Sequence, residues 1–581
     1  MAPWKASGSV PNRVFIRPLG VTELGFHWDG QFSGTADCLD HIIVEERQPH
    51  GSLSSVENVS RAWVSMKQRF PLLGAQVDER GAVLGDVSFT VTEQRLKQIQ
   101  PQELSFESVS SLDDARAFVE GILCGPRQLS SDLLARVYIL NRVDEPTVFH
   151  VLIHAAHLIF DGMASKTATR VMLDTLASQD RGAIYVPPLE DRLAMVQSAE
   201  SFVPPTKFSD SRRRWRKAIA AVIVSNNMGN IKGGHTIPKQ PPLPPLTPSR
   251  SDFIKESLSP ERSSLIISNC RKNKITFGNA LTILGQVAQS RVLYRRYLRG
   301  EISDAEWEAR KKEPTYSGGP MNLRPFLDQQ WLAAGGAGEI FLSIGFFFYK
   351  LPFIPLASPN AKLDNGAPSY PSLLSPERFI LRCNIVNRQS LHTLRHPLFY
   401  EVSSAQTRRR LNQRRTLAYE WRQKQNKNLA DIVLPAQEEA PVPLHDMALS
   451  FICASIGDVS ALIPPEYPLG PSNVFSPLSP ARHPAKAGYP SPPSSNGSEA
   501  TARSTEPVLR VQSAATHLRC RPGELYLGAS TSGGQLHLTV FYDANTYSPP
   551  LVREWLQEVR EAAIWYLGDT STGSQHELAK L

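Results

Sequence analysis

A histidine, an aspartate and a glycine stand where an apolar run ends: HLIFDG, residues 157–162, follows VFHVLIHAA at 148–156. Alternation over 148–154 predicts a strand with His150, Leu152 and His154 on one face and Val151 and Ile153 on the other. His157 lies past that strand. There the chain must turn into the helix read from MASKTATRVMLDTLAS, with Ala168, Val171, Met172 and Leu176 on one side. Asp161 suits the N-terminus of that helix and Gly162 suits the turn. A histidine held on such a turn has one ring nitrogen tied to backbone and the other free. Its unperturbed pKa lies near neutrality, as a general base requires. His157 would then take a proton from a hydroxyl or amine attacking an acyl carbon. No serine or cysteine stands in a nucleophile elbow, since GASTS at 528–532 lacks the G-x-S-x-G form. Direct attack by the acceptor is therefore simpler than an acyl-enzyme. Taken alone, H-x-x-x-D-G equally describes a strand end with a capping aspartate. A metal site from His150, His154, His157 and Asp161 is a weaker reading, because the spacing does not bring all four together; no metal is expected.

The surrounding elements must place that turn. Residues 14–45 read as extended, with DHIIVEE a short strand. Val56, Val59, Ala62, Trp63, Met66 and Phe70 recur at helical spacing up to Pro71. A short helix is expected over 112–122, then two strands, ARVYILNRV and TVFHVLIHAA, joined at DEP. A charged helix over 209–224 leads into GGHTIPKQPPLPPLTPSRS, too rich in proline for regular structure. The second half restarts with the strand DFIKESL. A helix follows with Ser259 as cap and Pro260 at its first position, then a longer one capped by Thr276. Residues 404–427 form a basic, polar helix, and GELYLGASTSGGQLHLTVFYDAN reads as a hairpin before a terminal helix carrying Val552, Trp555, Val559 and Ala563 on one face. The domain division expected is 1–227, a proline-rich linker at 228–250, and 251–581, with a disordered low-complexity insertion at 476–506.

Composition narrows the class. A chain of 581 residues with 41% hydrophobic content suits two large folded units. A net charge of +8 is mild for this length and, without interleaved aromatics or a known module, gives no case for nucleic acid. Six scattered cysteines without ligand spacing suit reduced thiols and a cytoplasmic setting. MAPWKASGSVPNRVFIRPLG holds no apolar h-region, and IFLSIGFFFYKLPFIPLA is interrupted by Lys350, Pro352 and Pro355, so no integral membrane segment is expected; that run reads as a buried strand and a turn.

The segment HAAHLIFDG resembles the H-H-x-x-x-D-G signature of the CoA- and carrier-dependent acyltransferases. These include chloramphenicol acetyltransferase, the plant BAHD enzymes and the condensation domains of nonribosomal peptide synthetases. Two residues separate His154 from His157 where many members have adjacent histidines. RAWVSMKQRFPLLGAQV, TFGNALTILGQVAQ, GPMNLRPFL and ALSFICASIGDV are similar, in order, to elements of a fungal branch that includes trichothecene 15-O-acetyltransferases. The BAHD D-F-G-W-G motif is absent, with SIGD in a comparable region, which argues against a plant-type member.

The resemblance implies an α/β (α+β) fold of two chloramphenicol-acetyltransferase-like lobes, each a mixed sheet flanked by helices, with a tunnel between them. It implies an acyl-CoA-dependent O-acyltransferase moving an acetyl or other short acyl group to a hydroxyl of a small secondary metabolite. His157 is the implied base. Asp161 would face away from substrate and pair with an arginine, for which Arg324 in NLRP is the candidate, since an unpaired buried carboxylate costs several kcal/mol. Gly162 would keep the space beside the imidazole open. Ser455 in CASIGD, or a nearby backbone N–H, is the candidate donor to the oxyanion; a strand-end hydrogen bond is an equal reading of Ser455. His154 is expected to be structural. The arginines at 408–410 and 414–415 could attract the phosphates of coenzyme A, but a solvated helix face is the preferred reading for them and for those at 212–214. No permanently bound cofactor is implied; acyl-CoA is a co-substrate and no CoA-binding residue is assigned. A monomer is expected. The alternatives are a free-standing condensation-type enzyme drawing its acyl donor from a carrier protein, to form an ester or amide, and a non-catalytic member of the fold.

Overall fold

The computed structural model of the chain describes residues 3–9, 12–47, 53–79, 87–178, 186–229, 234–356, 361–425, 449–470, 473–475 and 506–568. The expected insertion at 476–506 lies, but for its last residue, outside them. Two six-stranded sheets dominate the fold. The strands that build them are β1 (Cys38–Glu46), β2 (Leu104–Val109), β3 (Ala135–Arg142), β4 (Val148–Ala155), β5 (Ser251–Ser257), β6 (Thr315–Asn322), β7 (Ile344–Leu351), β8 (Phe451–Asp458), β9 (Glu466–Tyr467), β10 (Leu509–Leu518), β11 (Leu525–Ser532) and β12 (Gln535–Asp543).

The first sheet runs β9-β10-β1-β4-β3-β2. At its centre β4 pairs antiparallel with both β1 and β3, Cys38 and Ala135 lying opposite Ala155 at its end. All eight residues of β4 are buried, which its run of β-branched, aromatic and leucine side chains permits. The alternation sorts them as the sequence implies. Val151 and Ile153 join the main core, while Leu152 packs with Tyr138 and Leu140 in a separate cluster that also holds Val119 and Ile122.

The second sheet runs β7-β6-β8-β11-β12-β5 and is mixed, with β8 parallel to both β6 and β11. Helix Phe277–Leu298, capped by Thr276 Oγ1 accepting from Asn279 N at 3.1 Å, lies across it. Trp555 of the terminal helix Pro549–Ala563 donates to the Gly285 carbonyl at 3.1 Å. That packing needs glycine: a Cβ on Gly285 would come within 2.8 Å of the Phe451 ring. Both lobes are thus mixed α/β layers.

The chain does not stay with one sheet per half. Strands β9 and β10 follow the proline-rich segment by more than two hundred residues, yet they complete the first sheet, β10 pairing antiparallel with β1 from Leu509↔Glu46 to Leu518↔Cys38. Leu327, Trp331, Ile340, Phe341 and Leu342 also pack into the first lobe's core. The expected extended run over 14–45 is interrupted as well. Val21–Gln31 is a helix, here α1, whose Glu23 carboxylate accepts from the Gly20 N–H at 2.6 Å and from Arg17 at 2.7 and 2.9 Å. Residues Phe26 to Gly30 of α1 are buried, so tertiary packing overrides the poor helix propensity of VTELGFHWDG. Within the apolar run at 340–357, Ile344–Leu351 form the half-buried edge strand β7, and among the described residues no helix is long and apolar enough to cross a membrane.

Candidate active site

The chain leaves β4 at Ala155, turns through 157–159 and enters helix α2 (Gly162–Ala177). Asp161 is the N-cap: one carboxylate oxygen accepts from the N–H groups of Met163 at 3.0 Å and Ala164 at 2.9 Å. The same carboxylate takes a two-pronged contact from one Arg324 nitrogen, at 2.8 and 2.9 Å, and the Ser343 N–H at 2.8 Å. Arg324 spends its other terminal nitrogen on the Phe341 carbonyl at 2.7 Å. Asp161 therefore bolts the turn carrying His157 to the segment between β6 and β7. Both side chains are almost fully buried, and neither carboxylate oxygen lacks a donor.

The His157 ring stacks on Phe26 of α1, centroids 4.0 Å apart and planes 24° from parallel. Its Nδ1 is buried without a hydrogen bond to another described residue. Burial, then the charge of Arg521, draws the pKa down to about 4, against the opposing pull of its own backbone carbonyl and of Asp161. At neutral pH the imidazole is uncharged and able to accept a proton.

Beyond Phe26 lies a cluster that the sequence did not announce. Asp29 of α1 is 2% exposed and faces Arg410 at 2.8 Å, Arg414 at 3.1 Å and Arg521 at 3.0 Å. Burial favours its protonated form, but Arg521, Arg414 and Arg410 outweigh that and hold the carboxyl well below the usual carboxylate range. The Arg410 guanidinium sits between Phe26 and Phe346, 4.3 and 4.6 Å from their centroids. The solvated-face expectation is thus corrected for Arg410 and Arg414. They belong to the long helix α3 (Phe399–Gln425), which packs along α1 and finds a buried carboxylate there. Only their distant partner, Asp29, could have revealed this.

His157, Asp161, Gly162, Arg324 and Ser455 all line one cavity of about 400 Å³ between β10 and the face of the second sheet. Ser455 lies at an irregularity in the β8–β11 register. Gly162 opens on this cavity, and a Cβ there would meet only Ile456 at 3.7 Å, so a methyl group fits and the glycine is not dictated by contact at that atom. A second cavity of about 650 Å³ is walled by the proline-rich segment 239–247, by β6 and β7, and by Arg409, Arg410 and Arg414 of α3. Phe346, Ile452, Arg521 and Glu524 line both, so the two cavities share this stretch of wall. His154 lines neither; it is buried on the face of β4 that also carries His150 and Leu152, its pKa pushed down to about 3 by burial and by Arg519, Arg127 and Arg136. His150 bonds His41, 2.7 Å between ring nitrogens. Among the described residues no group of three or more His, Cys, Asp and Glu side chains is placed to hold a metal ion.

No family model matches the chain, and no curated protein matches it in sequence. Solved structures do match it along its whole length. The trichothecene 15-O-acetyltransferase TRI3 of Fusarium sporotrichioides aligns over 97% of each chain with a TM-score of 0.67 at 13% identity. The condensation domain of the monacolin K polyketide synthase MokA aligns over 95% of this chain and 97% of its own, with a TM-score of 0.54 at 10% identity. An epimerization domain of tyrocidine synthetase B gives 97% and 96%, 0.51 and 9%. The chain therefore shares the two-lobed fold of these acetyltransferase and condensation-domain structures.

Proposed function

We propose that this protein transfers an acyl group from a CoA thioester to a hydroxyl of a small acceptor, with His157 as general base. The observation that carries the reading is a neutral His157 imidazole lining one of two cavities that share the wall residues Phe346, Ile452, Arg521 and Glu524. An acyl donor lying in the larger cavity presents its thioester there, and the acceptor reaches His157 from the smaller. His157 takes the hydroxyl proton as the oxygen attacks the thioester carbonyl. The tetrahedral oxyanion collapses, the carbon–sulfur bond breaks, and the imidazolium returns the proton to the thiolate. Ser455, whose side chain is exposed to the acceptor cavity, is the hydroxyl donor assigned to the oxyanion. Asp161 and Arg324 act by holding the turn. Arg409 and Lys239 at the larger cavity suit the phosphates of CoA.

The likeness to condensation domains favours a second reading, in which the donor is carried by a protein and the larger cavity admits its phosphopantetheine arm. A thiol-release assay separates the two. Acetyl-CoA with a panel of alcohols should release free CoA only when an acceptor is present, with the ester seen by mass spectrometry. Release without acceptor would mean hydrolysis. Transfer from an acylated carrier protein but from no CoA ester would establish the second reading.

A further inference from the structure

The far end of the acceptor cavity carries a chemistry that acyl transfer itself does not use. Register places three rows of side chains on the face of the second sheet that floors it. One row is aromatic, Tyr526, Phe541 and Phe253 lying opposite one another across β11, β12 and β5. The next runs from Ala454 and Gly528 to Thr539 and ends at Lys255. The third holds Ser530 and His537. The small residues Ala454 and Gly528 leave a trough along the middle row, bounded by the aromatic row. From β8 to β5 it spans three strand spacings, roughly 14 Å.

The charges lining this cavity are almost all matched. Arg324 faces Asp161, Arg521 faces Asp29 and Glu524, Lys166 faces Asp40, and Arg519 donates to the carbonyls of Ile122 and Gly125. Lys255 is different. Among the described residues no carboxylate or carbonyl accepts from it, and Thr539 stands directly opposite on β12. Burial, and then another cation, Arg116, disfavour its charged form. Lysines also guard exposed sheet edges, and β5 is an edge strand. Lys255 is itself exposed at this edge, and it shares the cavity face with Phe253 and Thr539. A second observation points the same way. His517 on β10 lines the cavity from the opposite wall, is 6% exposed, and neither ring nitrogen has a hydrogen-bond partner. Its ring rests against Phe253, centroids 4.7 Å apart.

We infer that the acceptor is an amphipathic hydroxy acid: its carboxylate is received by Lys255 and the N–H of His517, its apolar body lies along the Tyr526–Phe541–Phe253 row, and its hydroxyl reaches His157 at the other end. The direction of the ligand rests on the acyl-transfer reading; the anion site does not. Binding separates the two. The probes are 12-hydroxydodecanoate and its methyl ester, titrated calorimetrically against the wild-type chain, Lys255→Gln and His157→Ala, with folding checked by thermal unfolding. The acid should bind wild type at least about tenfold tighter than the ester, the worth of one charge-assisted hydrogen bond. Lys255→Gln should erase that advantage and leave ester affinity unchanged, and His157→Ala should keep it. Equal affinities in wild type, a preference that survives Lys255→Gln, or no binding of the acid overturns the assignment. Acid preference without any acyl transfer from donor to acceptor would end the acyl-transfer reading and leave the anion site standing; transfer without acid preference would do the reverse.

Discussion

Two buried carboxylates flank the candidate base, and they are balanced differently. Asp161 meets one arginine, Arg324, and fills its remaining acceptor capacity with the N–H groups of Met163, Ala164 and Ser343. Asp29 meets three, Arg410, Arg414 and Arg521, of which Arg521 is also held by Glu524. The first is a closed neutral pair that fixes a turn. The second leaves positive charge in excess between the two cavities, with Arg521 lining both. That excess adds to the burial that depresses the basicity of His157, and it suits the thiolate and oxyanion that acyl transfer generates.

The difference predicts unequal costs. Arg324→Met leaves Asp161 buried without the cation that pairs with it and should destabilise the protein by about 3–5 kcal/mol in urea unfolding. A loss below about 1 kcal/mol would mean that the pair is not the brace described. Arg414→Met removes one of three cations and also relieves repulsion among them, so it should cost no more than about 1–2 kcal/mol. If the two substitutions proved equally severe, the contrast between a matched and an over-matched carboxylate would be broken. The smallest effect is on acidity. With the His157 pKa near 4, the base stays free as pH falls through 6.5, so kcat/KM should be flat from pH 8 to about 5.5 and decline only below that. Because Arg521 is the charge that lowers it most, Arg521→Met should move the acid limb upward, by up to about one pH unit. An acid limb already centred near 6.5 in the wild type would contradict both the burial and the charge excess around His157.

The same two clusters show what a sequence discloses. The Asp161 side was legible because its signals are local: the apolar run of β4, the turn at His157, an aspartate at a helix N-cap and a resemblance that pointed to Arg324 in NLRP. Caps at Ser259 and Thr276 and the Gly533–Gly534 hairpin were legible for the same reason. The Asp29 side was not. Its helix, α1, has two glycines, valine, threonine and aromatics in eleven residues and is helical because it is buried. Arg410 and Arg414 look like any basic helix face until α1 is laid against them. Strand β10 escaped notice because its partner, β1, lies more than four hundred residues away. Pairings of that range leave no periodicity to read.

Transfer of an acyl group by His157→Ala, compared with wild type on the same donor and acceptor, tests the central claim most directly. The account predicts a loss of about 10²–10⁴-fold in kcat with thermal unfolding little changed. Undiminished transfer by the folded variant would contradict it.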